Sequence, residues 1–307
     1  MSDKYVETDV LLEKLFKSKL VGDSKRKNDV ERYAPERQIA LFPFFPDQAA
    51  AIPTHIAKSG VFSYESTTEL NEIYFKDVIL YQSTNNVLKF SGFHLSQTEA
   101  DIFMCVLRLI KGRMVGEDGK VTITKAELLR QLGWVDSGSN YAKLLASFKR
   151  LSESQFYLET TQDDDSASKE SLPLKLFSFN QKKDHVILWI PEESLPMFDN
   201  ISYLNWEARK RINHRQGLAK SIQLFAAAYK QGANRKIILD DLKAKVGYKS
   251  PRDKFIKSLE KAFSELERYG ILENVWIKKE LSIWYCGWML PKQNKTHDGL
   301  ILEGESN

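Results

Sequence analysis

Cysteine is nearly absent from this chain of 307 residues: Cys105 and Cys286 lie far apart, with no second cysteine or histidine at metal-ligand spacing. That excludes a disulfide framework and a zinc finger, and implies a reduced, cytoplasmic protein. Histidine is scarce as well. The five histidines, at 55, 94, 185, 214 and 297, are isolated, so the paired histidines that hold a metal beside a nucleophilic tyrosine in strand-nicking enzymes are missing. A phosphate-cradling loop is missing too: Gly116-Glu117-Asp118-Gly119-Lys120-Val121 has too short a glycine spacing and no hydroxyl ligand, and reads as a turn. No catalytic residue, metal or cofactor is expected. No apolar run approaches the roughly 18–20 residues of a membrane span, and the polar start Met1-Ser2-Asp3-Lys4 lacks the order of a signal peptide. No membrane partner is expected.

What is present is an ordinary globular composition, 42% hydrophobic and 28% charged, over a length that suits two domains. The net charge of +4 is unevenly placed. Residues 205–290 hold 18 Lys/Arg against 9 Asp/Glu, a net +9, while the remainder is net −5. Attraction to a polyanion depends on local charge density, which directs attention to the C-terminal part.

Residues 1–37 are charge-rich and read as a mobile N-terminal arm. The stretch 38–62, with prolines at 43, 46 and 53, is expected to be extended and partly docked, because proline forbids a continuous helix. Alternation over 73–93, broken at Asn85-Asn86, predicts a hairpin. Two capping boxes follow, Ser96-Gln97-Thr98-Glu99 and Thr124-Lys125-Ala126-Glu127, each opening a helix, with the short strand Val121-Thr122-Ile123 between them. A third helix is predicted over 139–152. Strands at 156–161 and 172–179, with an acidic loop at 162–171 containing Asp163-Asp164-Asp165, and a strand at 186–190 complete the order of a winged helix. The same order returns after the basic connector at 209–215: helix 218–229, strand 237–239, helix 240–246, helix 250–269 and a hairpin of strands 271–278 and 281–290. The expected fold is α+β, with two tandem winged-helix domains at 38–200 and 205–291 and a flexible tail at 292–307.

The helix predicted at 250–269 is the strongest functional signal. Ser250 reads as its N-cap, Pro251 as its first residue and Gly270 as its stop. At about 100° per residue, Phe255, Leu259, Ala262, Phe263 and Leu266 share one face. Lys254, Lys257, Lys261 and Arg268 lie opposite, with Ser250 and Ser264. A third helix with a buried stripe and a basic outer face is what major-groove reading requires; a merely solvated face is the plainer alternative. The candidate DNA contacts are Lys249, Ser250, Arg252, Lys254, Lys257, Ser258 and Lys261, with Lys278 and Lys279 on the hairpin. In the first domain, Ser139, Asn140, Lys143 and Arg150 are expected outward on the third helix, for DNA contact or for dimerisation or partner docking. The tryptophans of the second domain, Trp206, Trp276, Trp284 and Trp288, suit either a core or stacking on unpaired bases.

These features resemble the TrfA-type plasmid replication initiators. The resemblance rests on Gln38-Ile39-Ala40-Leu41-Phe42, on the stretch from Ala51-Ile52-Pro53 to Ser59-Gly60-Val61-Phe62, and on the doubled winged-helix order, covering about 38–291. Thr54, Lys58, Gly60 and Val61 depart from the family's stretch, Gly60 least conservatively. The resemblance implies binding to repeated sites (iterons) in double-stranded plasmid origin DNA, help with origin opening and recruitment of the host DnaA, replicative helicase and sliding clamp. It also implies a homodimer when free of DNA. The pentapeptide is similar to the family's clamp-docking peptide, departing from it at Ile39 and Ala40, with Gln38, Ile39, Leu41 and Phe42 as the contacts; a core strand at 39–45 is the alternative. A winged-helix transcriptional regulator is the rival function, since its binding chemistry is the same.

Overall fold

The computed structural model describes residues 47–65, 67–82, 86–111, 119–160, 174–198, 200–213 and 216–292. The expected arm at 1–37, the pentapeptide with Gln38, Ile39, Leu41 and Phe42, the loop at 162–171 and the tail from 293 onward lie outside the described residues. The first element is strand β1 (Ala49–Pro53), buried throughout, and it runs straight into helix α1 (Thr54–Ser59). The expectation of extended chain over all of 38–62 is therefore corrected. Pro53 ends the strand but stands just before the helix, where its fixed φ, here −55°, and its missing N–H do no harm. Ser59 closes α1 by donating its hydroxyl to the Ile56 carbonyl, 2.7 Å, and accepting from the Val61 N–H, 3.2 Å.

Strand β2 (Phe62–Ser63) and helix α2 (Thr68–Asn71) lead to the antiparallel pair β3 (Tyr74–Gln82) and β4 (Asn86–Phe93), the hairpin expected from the alternation. After β5 (Leu95–Ser96), which lies parallel to β2, comes helix α3 (Gln97–Ile110). Its capping box is complete: the Ser96 hydroxyl accepts from the Thr98 N–H, and the Glu99 carboxylate accepts from the Ser96 N–H at 2.8 Å.

Then follow β6 (Val121–Thr124), α4 (Lys125–Leu132), α5 (Gly138–Glu153), β7 (Gln155–Thr160), β8 (Ser178–Gln181) and β9 (His185–Trp189). At the start of α4 the Thr124 hydroxyl accepts from the Glu127 N–H. The Glu127 carboxylate pairs with Arg130 and Gln131. The hairpin of this half differs from expectation. It is formed by β8 and β9, in a sheet ordered β6-β9-β8, whereas β7 pairs antiparallel with β4 in a sheet ordered β3-β4-β7. The pairing is apolar: Phe156 on β7 is fully buried with its ring 5.2 Å from Phe90 on β4, and Phe156 also exchanges backbone hydrogen bonds with Leu174, ahead of β8. The turn of that hairpin is made by 182–184.

A short 3-10 turn (Glu192–Phe198) and β10 (Ile201–Asn205), antiparallel to β1, lead into α6 (Trp206–Arg211), where the sequence suggested only a connector. The second half comprises α7 (Gly217–Ala227), β11 (Asn234–Ile238), α8 (Leu239–Lys245), α9 (Arg252–Arg268), β12 (Glu273–Glu280) and β13 (Ile283–Met289). Its sheet is ordered β11-β13-β12, so in both halves the last strand lies between the other two. The fold is α+β. Two apolar cores result: one holds Phe103, Phe148, Phe177 and Trp206, the other Phe255, Leu259, Phe263 and Trp288. Leu224 of α7 belongs to the first core and Ala208 of α6 to the second, so the halves interlock.

Gly60 shows how closely. It ends α1 in the left-handed region, φ 69°, and a Cβ added there would sit 2.1 Å from the Lys245 carbonyl oxygen of α8. The residue that departs furthest from the resembled stretch is thus one where only glycine fits. Among the described residues, no helix is long and apolar enough to cross a membrane.

Candidate nucleic-acid interface

Helix α9 owes its orientation to five buried side chains, Phe255, Leu259, Ala262, Phe263 and Leu266, spaced to form one stripe. Each contributes on the order of 2 kcal/mol by leaving water, less for the alanine. Its start lies one residue later than the sequence suggested. The Pro251 carbonyl accepts the first helical bond, from the Phe255 N–H at 3.1 Å, so Pro251 occupies the cap position and Ser250 does not cap the helix. No side chain caps this end. A helix N-terminus with uncapped N–H groups favours negative charge in front of it.

Lys254, Lys257 and Lys261 are exposed along the outer face and form no ion pair among the described residues. Lys249, in the turn before the helix, is exposed as well. Arg252 is engaged: its guanidinium donates to both carboxylate oxygens of Asp240 on α8, at 3.1 and 2.6 Å. Those bonds, and the guanidinium's charge, hold the Asp240 carboxyl below its ordinary range. Arg252 therefore fixes the start of α9 against α8. Ser258 is half-buried and shares a 2.9 Å hydrogen bond with the Tyr248 hydroxyl, so it braces the turn and does not face outward.

On the hairpin, Lys278 lies 4.7 Å above the Trp276 ring and 3.2 Å from Glu280, and Lys279 is exposed. Trp288 and Trp206 are buried in the cores, and Trp276 and Trp284 are half-buried.

Helix α5 offers less. Ser137 caps it by accepting from the Asn140 N–H, and the Asn140 amide donates to the Val135 carbonyl at 2.7 Å, so Asn140 stabilises the loop. Ser139 is exposed, and Lys143 is exposed over the Trp134 ring at 4.8 Å. Arg150, expected outward, turns inward: its guanidinium donates to the fully buried Glu99 at 2.5 Å, and the Ser147 hydroxyl donates to the same oxygen at 2.6 Å. The physical reason is Glu99 itself. Burial pushes its carboxyl up, but the charge of Arg150 and the hydrogen bonds of Ser147, Ser96 and Arg150 outweigh burial and keep it ionised below the ordinary range. An ionised carboxylate at that depth requires a cation, and Arg150 supplies it.

A second such residue, Arg209, was counted with the basic connector. It is fully buried and donates to Asp101 at 2.5 Å, Gln97 at 2.7 Å, the Lys220 carbonyl at 3.0 Å and Gln223 at 3.3 Å. Asp101 also accepts from Lys220 at 2.6 Å, and Gln97 donates to the Phe62 carbonyl and to Ser221. Burial raises the Asp101 carboxyl, and Arg209 with Lys220 more than reverses that. This network ties α3 to α6 and α7. The signal for it was Gln97, Glu99 and Asp101, three polar residues in the opening turns of an otherwise apolar helix. Both cysteines are buried, which pushes their thiols up to about 12. They are unreactive packing residues.

The arrangement is therefore a pair of interlocked halves, one of which presents an uncapped helix end and a row of lysines without ion pairs among the described residues. Among solved structures, domains 2 and 3 of RctB superpose with a TM-score of 0.50 at 11% identity, covering 79% of this chain and 99% of that one. A second structure of RctB domains 2–3 gives 0.49 at 12% identity, covering 77% and 96%. In sequence, the chain is 23% identical over 256 residues to a protein of Escherichia coli described as plasmid replication initiator protein TrfA. The match covers 80% of this chain, which spans 64% of the length of that relative. The family described as TrfA protein matches residues 17–286. The chain belongs to the TrfA protein family.

Proposed function

We propose that this protein is a plasmid replication initiator that binds repeated sites at a plasmid origin through α9 and the β12–β13 hairpin of a second winged-helix domain. The observation that carries the reading is the row Lys254, Lys257 and Lys261, exposed and unpaired on a helix whose opposite face is buried. Family membership supports it, as does the name of the Escherichia coli relative. The matching strand orders β6-β9-β8 and β11-β13-β12 support two tandem winged-helix domains, approximately 38–200 and 205–291. In this reading the first domain adds Ser139 and Lys143 to the DNA-facing surface. Phosphate contacts by lysine supply sequence-independent affinity, and the helix edge reads bases in the major groove.

The reading extends to the cytoplasm as the site of action and to recruitment of host DnaA, replicative helicase and sliding clamp, with Gln38, Ile39, Leu41 and Phe42 as the clamp-docking peptide. The protein acts by binding, without catalysis or cofactor, and forms a homodimer when free of DNA. The deciding experiment places this gene and its adjacent non-coding DNA on a circle that cannot otherwise replicate. Persistence of the circle, lost when Lys254, Lys257 and Lys261 are all alanine, is the expected result. Loss of the unmutated circle overturns the reading and leaves a transcriptional regulator.

A further inference from the structure

Leu281 is unfavourable twice over in the folded chain. Strands β12 and β13 close through the pair Glu280 and Ile283, so the turn between them consists of Leu281 and Ser282 alone. Leu281 takes a φ of 55°, and Ser282 is not among the residues of positive φ. Positive φ at the first turn residue only is the arrangement that glycine ordinarily fills, because a Cβ crowds the backbone there. The side chain, 101% exposed, touches nothing that offsets the strain, and the neighbouring Ile283 is 46% exposed. A residue that weakens the fold and is held pointing into water is a candidate for a role outside the fold.

Its surroundings identify the partner. Lys278 and Lys279 precede it on β12, and the adjacent acid, Glu280, is paired with Lys278 and Lys236. A lone leucine amid lysines suits a polyanion with an apolar interior. The register Ile238 to Tyr285 sets the turn at the end of the sheet where β11 passes into α8, and Asp240 at the start of α8 holds Arg252 at the start of α9. The hairpin tip and the N-terminal end of the basic helix therefore lie at the same end of this sheet.

We propose that Leu281 is an apolar wedge that enters between two base pairs of the duplex held by α9, unstacking that step and kinking the DNA. An inserted side chain of this kind replaces base stacking with apolar contact, and pyrimidine–purine steps such as TA yield most easily. The strained turn keeps the side chain aimed outward before DNA arrives. The inference rests on the DNA-binding reading above and adds what binding does to the duplex.

The test uses the full chain to enrich duplexes from a random pool, then places 2-aminopurine at each pyrimidine–purine step of the enriched duplex in turn. The parent protein is expected to raise fluorescence at one step and to bend circularly permuted fragments. Leu281→Met keeps both effects. Leu281→Ser loses both and binds roughly tenfold more weakly, an affinity restored on a duplex carrying a mismatch at that step. Leu281→Gly loses both while melting at or above the parent's temperature, because glycine relieves the turn. If no duplex is enriched, the DNA-binding reading falls and the wedge with it. An enriched duplex that Leu281→Ser and Leu281→Gly unstack as the parent does overturns the wedge alone.

Discussion

The formal charge of residues 205–290 overstates what DNA would meet, because several of its cations are already engaged. Arg209 and Lys220 neutralise Asp101, Arg252 is held by Asp240, and Lys236 with Lys278 closes on Glu280. On the outer face of α9, Lys254, Lys257 and Lys261 form no ion pair among the described residues, and Arg268 lies over the Tyr269 ring. Replacing Lys257 and Lys261 by Ala should weaken binding to all duplexes and flatten the slope of log affinity against log salt by about 0.9 per lost contact. Fluorescence anisotropy from about 50 to 200 mM salt measures it. An unchanged slope with an intact fold would remove α9 from the interface. Gly60 is a position of the opposite kind, where a single methyl is excluded. Gly60→Ala must strain a positive φ and push back the Lys245 carbonyl, and a loss of about 2 kcal/mol or more in urea unfolding is expected.

Elements were legible where local chemistry suffices. The α3 capping box, the β3–β4 alternation and the five-residue stripe of α9 all appear in the structure as the sequence suggested. Strand partners were not legible, since β7 had apolar neighbours available on either side in sequence and chose β4 through Phe90. The direction of Arg150 on α5 was equally hidden, because it depends on Glu99 of another helix. That pair has a consequence for pH. Glu99 and Asp101 titrate below their ordinary range in the folded chain, so in acid the unfolded chain binds more protons than the folded one. Their stabilisation is complete above about pH 5 and is lost as pH falls through and below 4. Glu99→Gln should flatten the acid limb of a plot of melting temperature against pH. An acid limb of unchanged steepness in both Glu99→Gln and Asp101→Asn would dismiss these carboxyls as its source.

At the scale of the molecule, a buried polar network joins the two halves. Arg209, from α6, reaches α3 and α7 together, and its partner Asp101 also takes Lys220. Removing one member of a buried pair leaves the other uncompensated, so Asp101→Ala should cost roughly 3–5 kcal/mol. Asp101→Leu with Arg209→Met should recover most of that loss, since apolar residues of similar volume often replace such pairs without penalty. Chemical denaturation of the three chains tests this, and equal losses in the single and double variants would contradict it. Coupling of the halves has a functional side as well: the Arg209 network at their junction helps set the distance between any contacts made by α5 and those made by α9.

Periodicity, caps and charge density depend on neighbours a few residues apart, and they were enough to reveal an α+β chain with a repeated element order, a basic third helix and a family resemblance. The choice of β4 as partner for β7, the burial of Arg150 and Arg209, the requirement for glycine at 60 and the strain at Leu281 each depend on a residue brought close by folding, or on a backbone angle that composition does not encode. Lysine at 257 reads the same in sequence and in structure because nothing pairs with it. Arginine at 209 does not, because a buried aspartate 108 residues away in sequence took its charge out of the surface.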